Sequence, residues 1–383
     1  MKHYIYADNA ATTPLDKEAF EEMKPYLLEH YGNASQPYSF SRKGKKALQK
    51  AREIIAQCIG AEPEEIYFTS GGSESNNWAI KGLAIPFGKS KKIVTSQIEH
   101  HSVLNTCQFL QNIGYTVDYL PVNPCGVLLS DTLEKSVVNS SVVSVMLANN
   151  EIGTIQEIKD LVYIAHQQGI YFHTDAVQTL GHIKVDVKDL GVDMLSASAH
   201  KFNAPKGTGF LYIKKGTPII PLINGGLQEN GRRAGTENIA SVVAMAVALQ
   251  NNCRDIEKNK EKLLVLENTL LNILDDNKID YIRNGSNKHI PGNVSISIGG
   301  ESGEKLLHRL DLMGICISTG SACDSRNTQI SHVLKSIGLS EHYARGTIRI
   351  SFGKHNTIDE AIKIGHSIVK ILSSAVKMNM STL

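Results

Sequence analysis

The sequence predicts an α/β fold with a mostly parallel sheet, followed by a smaller α+β section. Two observations carry this. Short apolar runs, each trailing a polar loop and then a helical pattern, recur near residues 68, 95, 147, 174 and 197. Such alternation builds β–α–β units, whose parallel sheet places its site at the carboxyl ends of the strands. From about residue 260 the character changes to charged helices between separated strands, expected at 293–298, 315–318 and 347–352. At 383 residues the chain exceeds what one core comfortably serves, so two domains are expected.

The elements follow in order. Tyr4-Ile5-Tyr6 reads as a strand that breaks into a turn-rich run, with Pro14 placed to open a helix reaching about Tyr26. Asn33-Ala34-Ser35-Gln36-Pro37 is a loop, and a charged helix over 41–59 is stopped by Gly60. The Arg and Lys face of that helix reads as solvated. Residues 66–69 form a short apolar strand running into Ser70-Gly71-Gly72-Ser73-Glu74-Ser75-Asn76-Asn77, and a helical pattern resumes at Trp78. Strand, glycine–hydroxyl turn and helix together point backbone N–H groups and a helix dipole at one spot, which is how phosphate is held. Neither G-x-x-x-x-G-K nor G-x-G-x-x-G is present.

The strand at 92–96 ends in Gln97-Ile98-Glu99-His100-His101-Ser102. The adjacent histidines lack metal-ligand spacing, so no metal site is expected. At a strand's carboxyl lip, His100 instead suits stacking on a flat ring and moving protons near neutral pH. A β-branched run at 142–147 suits a strand buried on both faces and ends in Ala148-Asn149-Asn150-Glu151.

The chemistry centres on Ser196-Ala197-Ser198-Ala199-His200-Lys201, which follows an apolar run and precedes Pro205-Lys206-Gly207-Thr208-Gly209. A lysine at the lip of a sheet, flanked by small hydroxyls, suits an amine that loses its proton and attacks a carbonyl. Upstream, an apolar strand ends in Asp175-Ala176-Val177-Gln178. A carboxylate at a buried strand end needs a cationic partner, and a protonated pyridine nitrogen is one. The two motifs together point to pyridoxal phosphate, with Lys201 as the Schiff-base lysine and Asp175 as the partner of the ring nitrogen.

Further along, the Gly/Arg loop over 224–238 is either a basic surface turn or a loop reaching a phosphate on a second subunit. The segment Ser318-Thr319-Gly320-Ser321-Ala322-Cys323-Asp324-Ser325 carries one cysteine with no apolar periodicity to bury it, which suits nucleophilic sulfur chemistry. Cys58, Cys107 and Cys253 read as buried and inert. Thr347-Ile348-Arg349-Ile350-Ser351 puts an arginine in mid-strand, where its fork needs an anion: a substrate carboxylate, or a structural ion pair.

Composition removes several classes. Lys and Arg number 40 against 38 Asp and Glu, a net charge of +2, so no nucleic-acid or anionic-membrane footprint is expected. The longest uncharged apolar run, 239–249, falls well short of the ~18 residues of a membrane span. No export signal is read at the start of the chain. The six cysteines show no C-x-x-C pair, so a cytoplasmic protein with free thiols is expected.

Six motifs in order, Thr69 to Asn76, Asn149 to Gly153, Asp175 to Gln178, Ser198 to Lys201, Arg233 to Thr236 and Gly320 to Cys323, resemble the cysteine desulfurases of the class V aminotransferase group. The resemblance spans essentially the whole chain, from the Ala-Asp-Asn-Ala-Ala-Thr-Thr-Pro segment at 7–14 to Arg349, and is to the long-cysteine-loop group. It implies pyridoxal-phosphate fold type I, aspartate-aminotransferase-like. A large domain over 14–256 would hold a seven-stranded, mostly parallel sheet. A small domain of 1–13 and 257–383 would carry the cysteine loop at about 319–331.

It implies roles as well. Lys201 holds the cofactor and moves protons, Asp175 keeps the ring nitrogen protonated, Gln178 bonds the ring hydroxyl, and His100 stacks on the ring. Gly72, Ser73, Ser198 and His200 bind phosphate, with Thr236 from the partner subunit of a homodimer. Asn150 and Arg349 hold the carboxylate of L-cysteine. Cys323 takes its sulfur as a persulfide, leaving alanine, for a protein acceptor such as an iron–sulfur scaffold or a thiolation enzyme. The chain departs from the family pattern at Asp324, a carboxylate that should make Cys323 less reactive, and at Gln329-Ile330, where a Glu-Pro pair is common. It also ends soon after its last helix, which leaves the acceptor open. A selenocysteine lyase or another β-elimination enzyme, and a sulfur-relay partner with weak activity, are the alternatives.

Overall fold

A computed structural model of the protein describes residues 4–319 and 330–380. β1 (Ile5–Tyr6) leads to α1 (Lys17–Leu28), whose N-cap is Asp16. That carboxylate accepts from the N–H groups of Glu18 and Ala19, so the helix begins at Lys17 and not at Pro14. α2 (Arg42–Ile59) buries Ala47, Leu48, Ala51, Ile55 and Ile59 as one stripe. It stops at Gly60, where φ is 71° and a Cβ would lie 2.7 Å from the Asp186 carboxylate.

Next come β2 (Ile66–Thr69), α3 (Gly72–Phe87), β3 (Lys92–Ser96), α4 (His101–Asn112), β4 (Val117–Leu120) and α5 (Ser130–Ser136). β5 (Ser140–Ser144), α6 (Ile158–Gln167), β6 (Tyr171–Asp175), α7 (Val187–Leu190), β7 (Met194–Ser198) and β8 (Gly209–Ile213) complete a seven-stranded sheet. Its order is β2-β8-β7-β6-β5-β3-β4, with β8 antiparallel to both neighbours and the other pairs parallel. Alternate residues along the strands face two apolar clusters. Val143, Phe172, Leu195 and Phe210 belong to one, and Val142, Met194, Leu211 and Ile213 to the other, so helices cover both faces.

Two expectations shift here. β5 ends at Ser144, because from Val145 onward the ladder thins to the bonds Val145 N–H to His173 O and Leu147 N–H to Asp175 O. α3 begins at Gly72 and not at Trp78: tertiary packing of Ser75 and Asn76 overrides the low helix propensity of this stretch.

After residue 239 come two helices, α8 (Ile239–Arg254) and α9 (Ile256–Asp276). β9 (Tyr281–Arg283), β10 (Asn293–Ile298), α10 (Gly303–Leu312), β11 (Ile315–Cys316), β12 (Ser318–Thr319), α11 (His332–Ser336), α12 (Glu341–Ala344), β13 (Thr347–Ser351) and α13 (Ile358–Met380) follow. The strand expected at 315–318 is divided between two sheets. β11 pairs with β1 in parallel, while β12 joins the antiparallel sheet β12-β13-β10-β9. α9, α10 and α13 pack on this second sheet in a separate core that includes Ile5, Leu266, Ile296, Ile348 and Ile364. Cys107 is buried as expected, whereas Cys58 and Cys253 are half-buried neighbours on α2 and α8. Among the described residues, no helix is long and apolar enough to cross a membrane.

Candidate active site

A cavity of about 540 Å³ opens where β5, β6 and β7 end and α3 begins. Gly72, Ser73, Ser198 and His200 line one part of it, with His100, Asp175, Gln178 and Lys201 beside them and Asn150 and Arg349 as a further wall. Of the residues singled out from the sequence, Thr236 does not line it, and Cys323 lies outside the described residues together with Asp324 and Gln329.

The N-terminus of α3 presents Ser70, Gly71, Gly72 and Ser73 to the cavity. Gly71 sits at φ 145°, and a Cβ on Gly72 would come within 2.6 Å of Val177 Cγ2, so the close approach of the turn to the end of β6 requires glycine. First-turn N–H groups of a helix lack intrahelical partners and favour an anion. His200 stands nearby with Nδ1 3.1 Å from Thr12 Oγ1. Burial, and then the charges of Lys201 and Lys206, push its pKa down to about 4, so its ring is neutral at pH 7.

Lys201 ends a short turn after β7. Thr13 fixes that turn: its hydroxyl donates to the His200 carbonyl at 2.8 Å and accepts from the Asn203 N–H at 2.8 Å. The Lys201 Nζ donates to the carbonyls of Ala10 and Ala11, each at 2.7 Å. Gln178 Nε2 donates to the same Ala10 carbonyl at 3.0 Å, so the turn-rich N-terminal run forms the floor of the site.

Asp175, 5% exposed at the end of β6, is held by neutral donors: Asn76 Nδ2 at 2.7 Å and the Val177 N–H at 2.9 Å. Asn76 Nδ2 also reaches Ser102 Oγ at 2.8 Å, and its Oδ1 is buried with no hydrogen-bond partner among the described residues. His100 caps α4, its Nδ1 accepting from the Ser102 N–H at 3.1 Å, which leaves the proton of the neutral ring on Nε2. Burial lowers its pKa, against an upward pull from Asp175. Beneath it lies the fully buried Glu99, which accepts from Ser96 Oγ at 2.6 Å and the Met146 N–H at 3.0 Å. Burial, with the Asp175 charge adding to it, pushes the Glu99 carboxyl up to about 8.

Arg349, placed in mid-strand on β13, does have its anion within the chain. Nη2 pairs with Asp8 Oδ1 at 2.7 Å and Nη1 donates to the Asn150 carbonyl at 2.8 Å. Its Nε is buried without an acceptor among the described residues. Ser331 Oγ donates to Glu151 Oε2 at 2.6 Å, and His332 Nε2 lies 3.0 Å from the Glu99 carbonyl. The Gly/Arg loop meets the site through Arg233, bidentate to Glu74 at 2.9 and 3.0 Å, while Thr236 is exposed.

Sequence reasoning misses Asn76, Glu99, Asp8 and Glu151. It places Asn76 in a loop; with the helix starting at Gly72, the i, i+4 spacing turns it to the face that meets the cavity. Glu99 has a signal, an acidic residue between Ile98 and His100 at the end of an apolar strand.

The class-V aminotransferase family matches residues 5–363. The chain belongs to that family. Its relatives place it among the cysteine desulfurases. The chain is 48% identical over 363 residues to the cysteine desulfurase IscS of Dictyoglomus turgidum, covering 94% of this chain and 92% of that protein. Among solved structures, a NifS-like protein superposes with a TM-score of 0.91 at 38% identity, covering 97% of this chain and 100% of that one. SspA in complex with cysteine superposes at 0.83 with 37% identity, covering 92% and 100%. The fold is therefore pyridoxal-phosphate fold type I, as expected from the sequence, and the family's cofactor is pyridoxal 5'-phosphate. The cavity fits that group: a buried carboxylate held by neutral donors matches a protonated ring nitrogen, and a helix N-terminus with a glycine cradle matches a phosphate.

Proposed function

We propose that this protein is a cysteine desulfurase, converting L-cysteine to L-alanine and carrying the sulfur away as a persulfide on Cys323. The observation that carries the reading is the convergence, on one cavity, of an anion cradle, a buried carboxylate, a lysine amine and an arginine. When bound, pyridoxal phosphate supplies an electron sink that weakens the Cβ–S bond of the substrate. Gly72, Ser73, Ser198 and His200 would hold its phosphate, Asp175 its ring nitrogen, and Gln178 its hydroxyl. Lys201 would be the amine that anchors it and moves the substrate's Cα proton. His100 would stack on the ring and offer its Nε2 proton. Arg349, through the Nε left without an acceptor, and Asn150 take the substrate carboxylate.

The Cys323 thiolate then attacks the substrate sulfur. The Cβ–S bond breaks, an S–S bond forms, and Cβ gains a proton, so that L-cysteine and an enzyme thiol become L-alanine and an enzyme persulfide. A selenocysteine lyase has no need of a sulfur-accepting cysteine, and the relatives do not favour it or a relay role.

The wider expectations belong to the same reading. Thr236 is exposed on a loop pinned at the cavity by the Arg233–Glu74 pair, which suits delivery to the phosphate of a partner in a homodimer. The chain would divide at residues 14 and 257 into the two domains, and the enzyme would work in the cytoplasm with a protein sulfur acceptor. The test is chemical: purified protein with L-cysteine and dithiothreitol should release alanine and sulfide in equal amounts. Cys323→Ala should release neither; sulfide production at the wild-type rate by that variant would overturn the reading.

A further inference from the structure

Asn252 on α8 is 3% exposed and does not line the cavity, yet it grips the turn that carries Lys201. Its Nδ2 donates to the Phe202 carbonyl at 2.7 Å and reaches Asn203 Oδ1 at 3.3 Å. Its Oδ1 accepts from Lys354 Nζ at 3.2 Å. The same ammonium donates to Asp16 Oδ2 at 3.0 Å, while Asp16 Oδ1 caps α1 through the N–H groups of Glu18 and Ala19. The packing leaves little slack: a Cβ on Gly181 would meet Asn252 Cβ at 3.0 Å and Phe202 Cβ at 3.1 Å. His182 Nε2 adds a donor to the Lys201 carbonyl at 2.9 Å.

An amide with its oxygen on a cation and its nitrogen on a carbonyl has one favourable orientation. Remove the cation, and Asn252 Oδ1 becomes a buried acceptor with no donor among the described residues. The desolvation cost of that uncompensated oxygen offsets the bonds that Nδ2 makes and loosens the hold of Asn252 on the Phe202 carbonyl and the Lys201 turn. Lys354 also stands just beyond β13, the strand that carries Arg349, so one ammonium joins the arginine strand, the cap of α1 and the lysine turn.

We propose that Lys354 is a positioning residue for Lys201, acting by orienting Asn252 so that the Phe202 carbonyl, and with it the lysine turn, is held in place. The inference rests on the desulfurase reading, in which Lys201 bears the cofactor.

The experiment compares wild type, Lys354→Met and Lys354→Arg after removal of the cofactor. It measures pyridoxal phosphate affinity, the pH midpoint of the bound cofactor's absorbance band, and the unfolding temperature. Lys354→Met should bind about tenfold more weakly, the loss of one charge-assisted hydrogen bond relayed to the lysine, and its pH midpoint should move. Lys354→Arg should restore both. Asn252→Ser should reproduce the Lys354→Met effect, and it serves as the probe if Lys354→Met is not recovered folded. A lowered unfolding temperature with wild-type affinity and midpoint in these variants would overturn the proposal, leaving Lys354 a stabilising residue alone. A wild type that binds no pyridoxal phosphate would instead overturn the desulfurase reading itself.

Discussion

Asp175→Asn should leave the cofactor-free protein about as stable as wild type while sharply weakening the cofactor. Taking a carboxylate out of water costs several kcal/mol, and here two neutral donors, Asn76 Nδ2 at 2.7 Å and the Val177 N–H at 2.9 Å, return part of that. In the variant, the new side-chain amide can keep the bond from Val177 but brings its nitrogen against the Asn76 donor. Asn76 Oδ1 is buried without a partner among the described residues, so a flip of that amide supplies the missing acceptor, losing the bond to Ser102 Oγ at about 1 kcal/mol. The removed desolvation penalty and the lost bonds nearly cancel. With roughly 2 °C per kcal/mol for a chain of this size, the unfolding temperature should stay within about 4 °C of wild type. The bound ring, by contrast, loses a charge-assisted hydrogen bond of about 1.5–3 kcal/mol, which is roughly 10- to 150-fold in affinity. Scanning fluorimetry of the stripped proteins and a cofactor titration by absorbance measure the two effects. A stripped variant that unfolds more than about 6 °C lower, or that binds pyridoxal phosphate within about twofold of wild type, would show that the Asp175 carboxylate does not serve the ring nitrogen in this way.

Three further outcomes are expected. Gly72→Ala places a Cβ 2.6 Å from Val177 Cγ2, an overpacking worth about 1–3 kcal/mol, so both the unfolding temperature and the affinity for inorganic phosphate should fall; unchanged phosphate binding would count against the cradle. Glu99 has a folded pKa raised to about 8, so the stability it contributes is present below its unfolded value and lost as pH rises through about 8. Wild type should therefore lose more stability between about pH 6 and 9 than Glu99→Gln does, and parallel pH curves of unfolding temperature would contradict the burial argument. Asp324→Ser should speed alkylation of Cys323 by iodoacetamide at pH 7, because a neighbouring carboxylate disfavours the thiolate; an unchanged rate would remove Asp324 as a brake.

Much of the site is legible in the sequence because its residues sit at strand ends bounded by turn formers. β2 and β3 fall where the apolar runs place them, and Asp175, Ser198 and Lys201 lie at or just beyond the ends of β6 and β7. What is not legible depends on distance. No local pattern says that Ile315–Cys316 pairs with β1 while Ser318–Thr319 pairs with β13, or that Arg349 reaches back to Asp8. The start of α3 is misplaced by sequence because Gly, Ser and Asn have poor intrinsic helix propensity, and only packing against β7 and β8 makes them helical. Asn76 and Glu99 escape because a buried polar side chain is recognised by its partners: the Asp175 carboxylate that Asn76 binds and the Met146 N–H that Glu99 accepts from lie far along the chain, although Ser96, the other partner of Glu99, is close by.

Desulfuration through Cys323 is decided by the absorbance of purified wild type and Cys323→Ala before and after adding L-cysteine, with alanine and sulfide assayed alongside. A visible cofactor band is expected in both proteins, shifted by L-cysteine in both, with alanine and sulfide produced by wild type alone. A colourless protein that stays colourless and unshifted after incubation with pyridoxal phosphate would contradict the desulfurase reading.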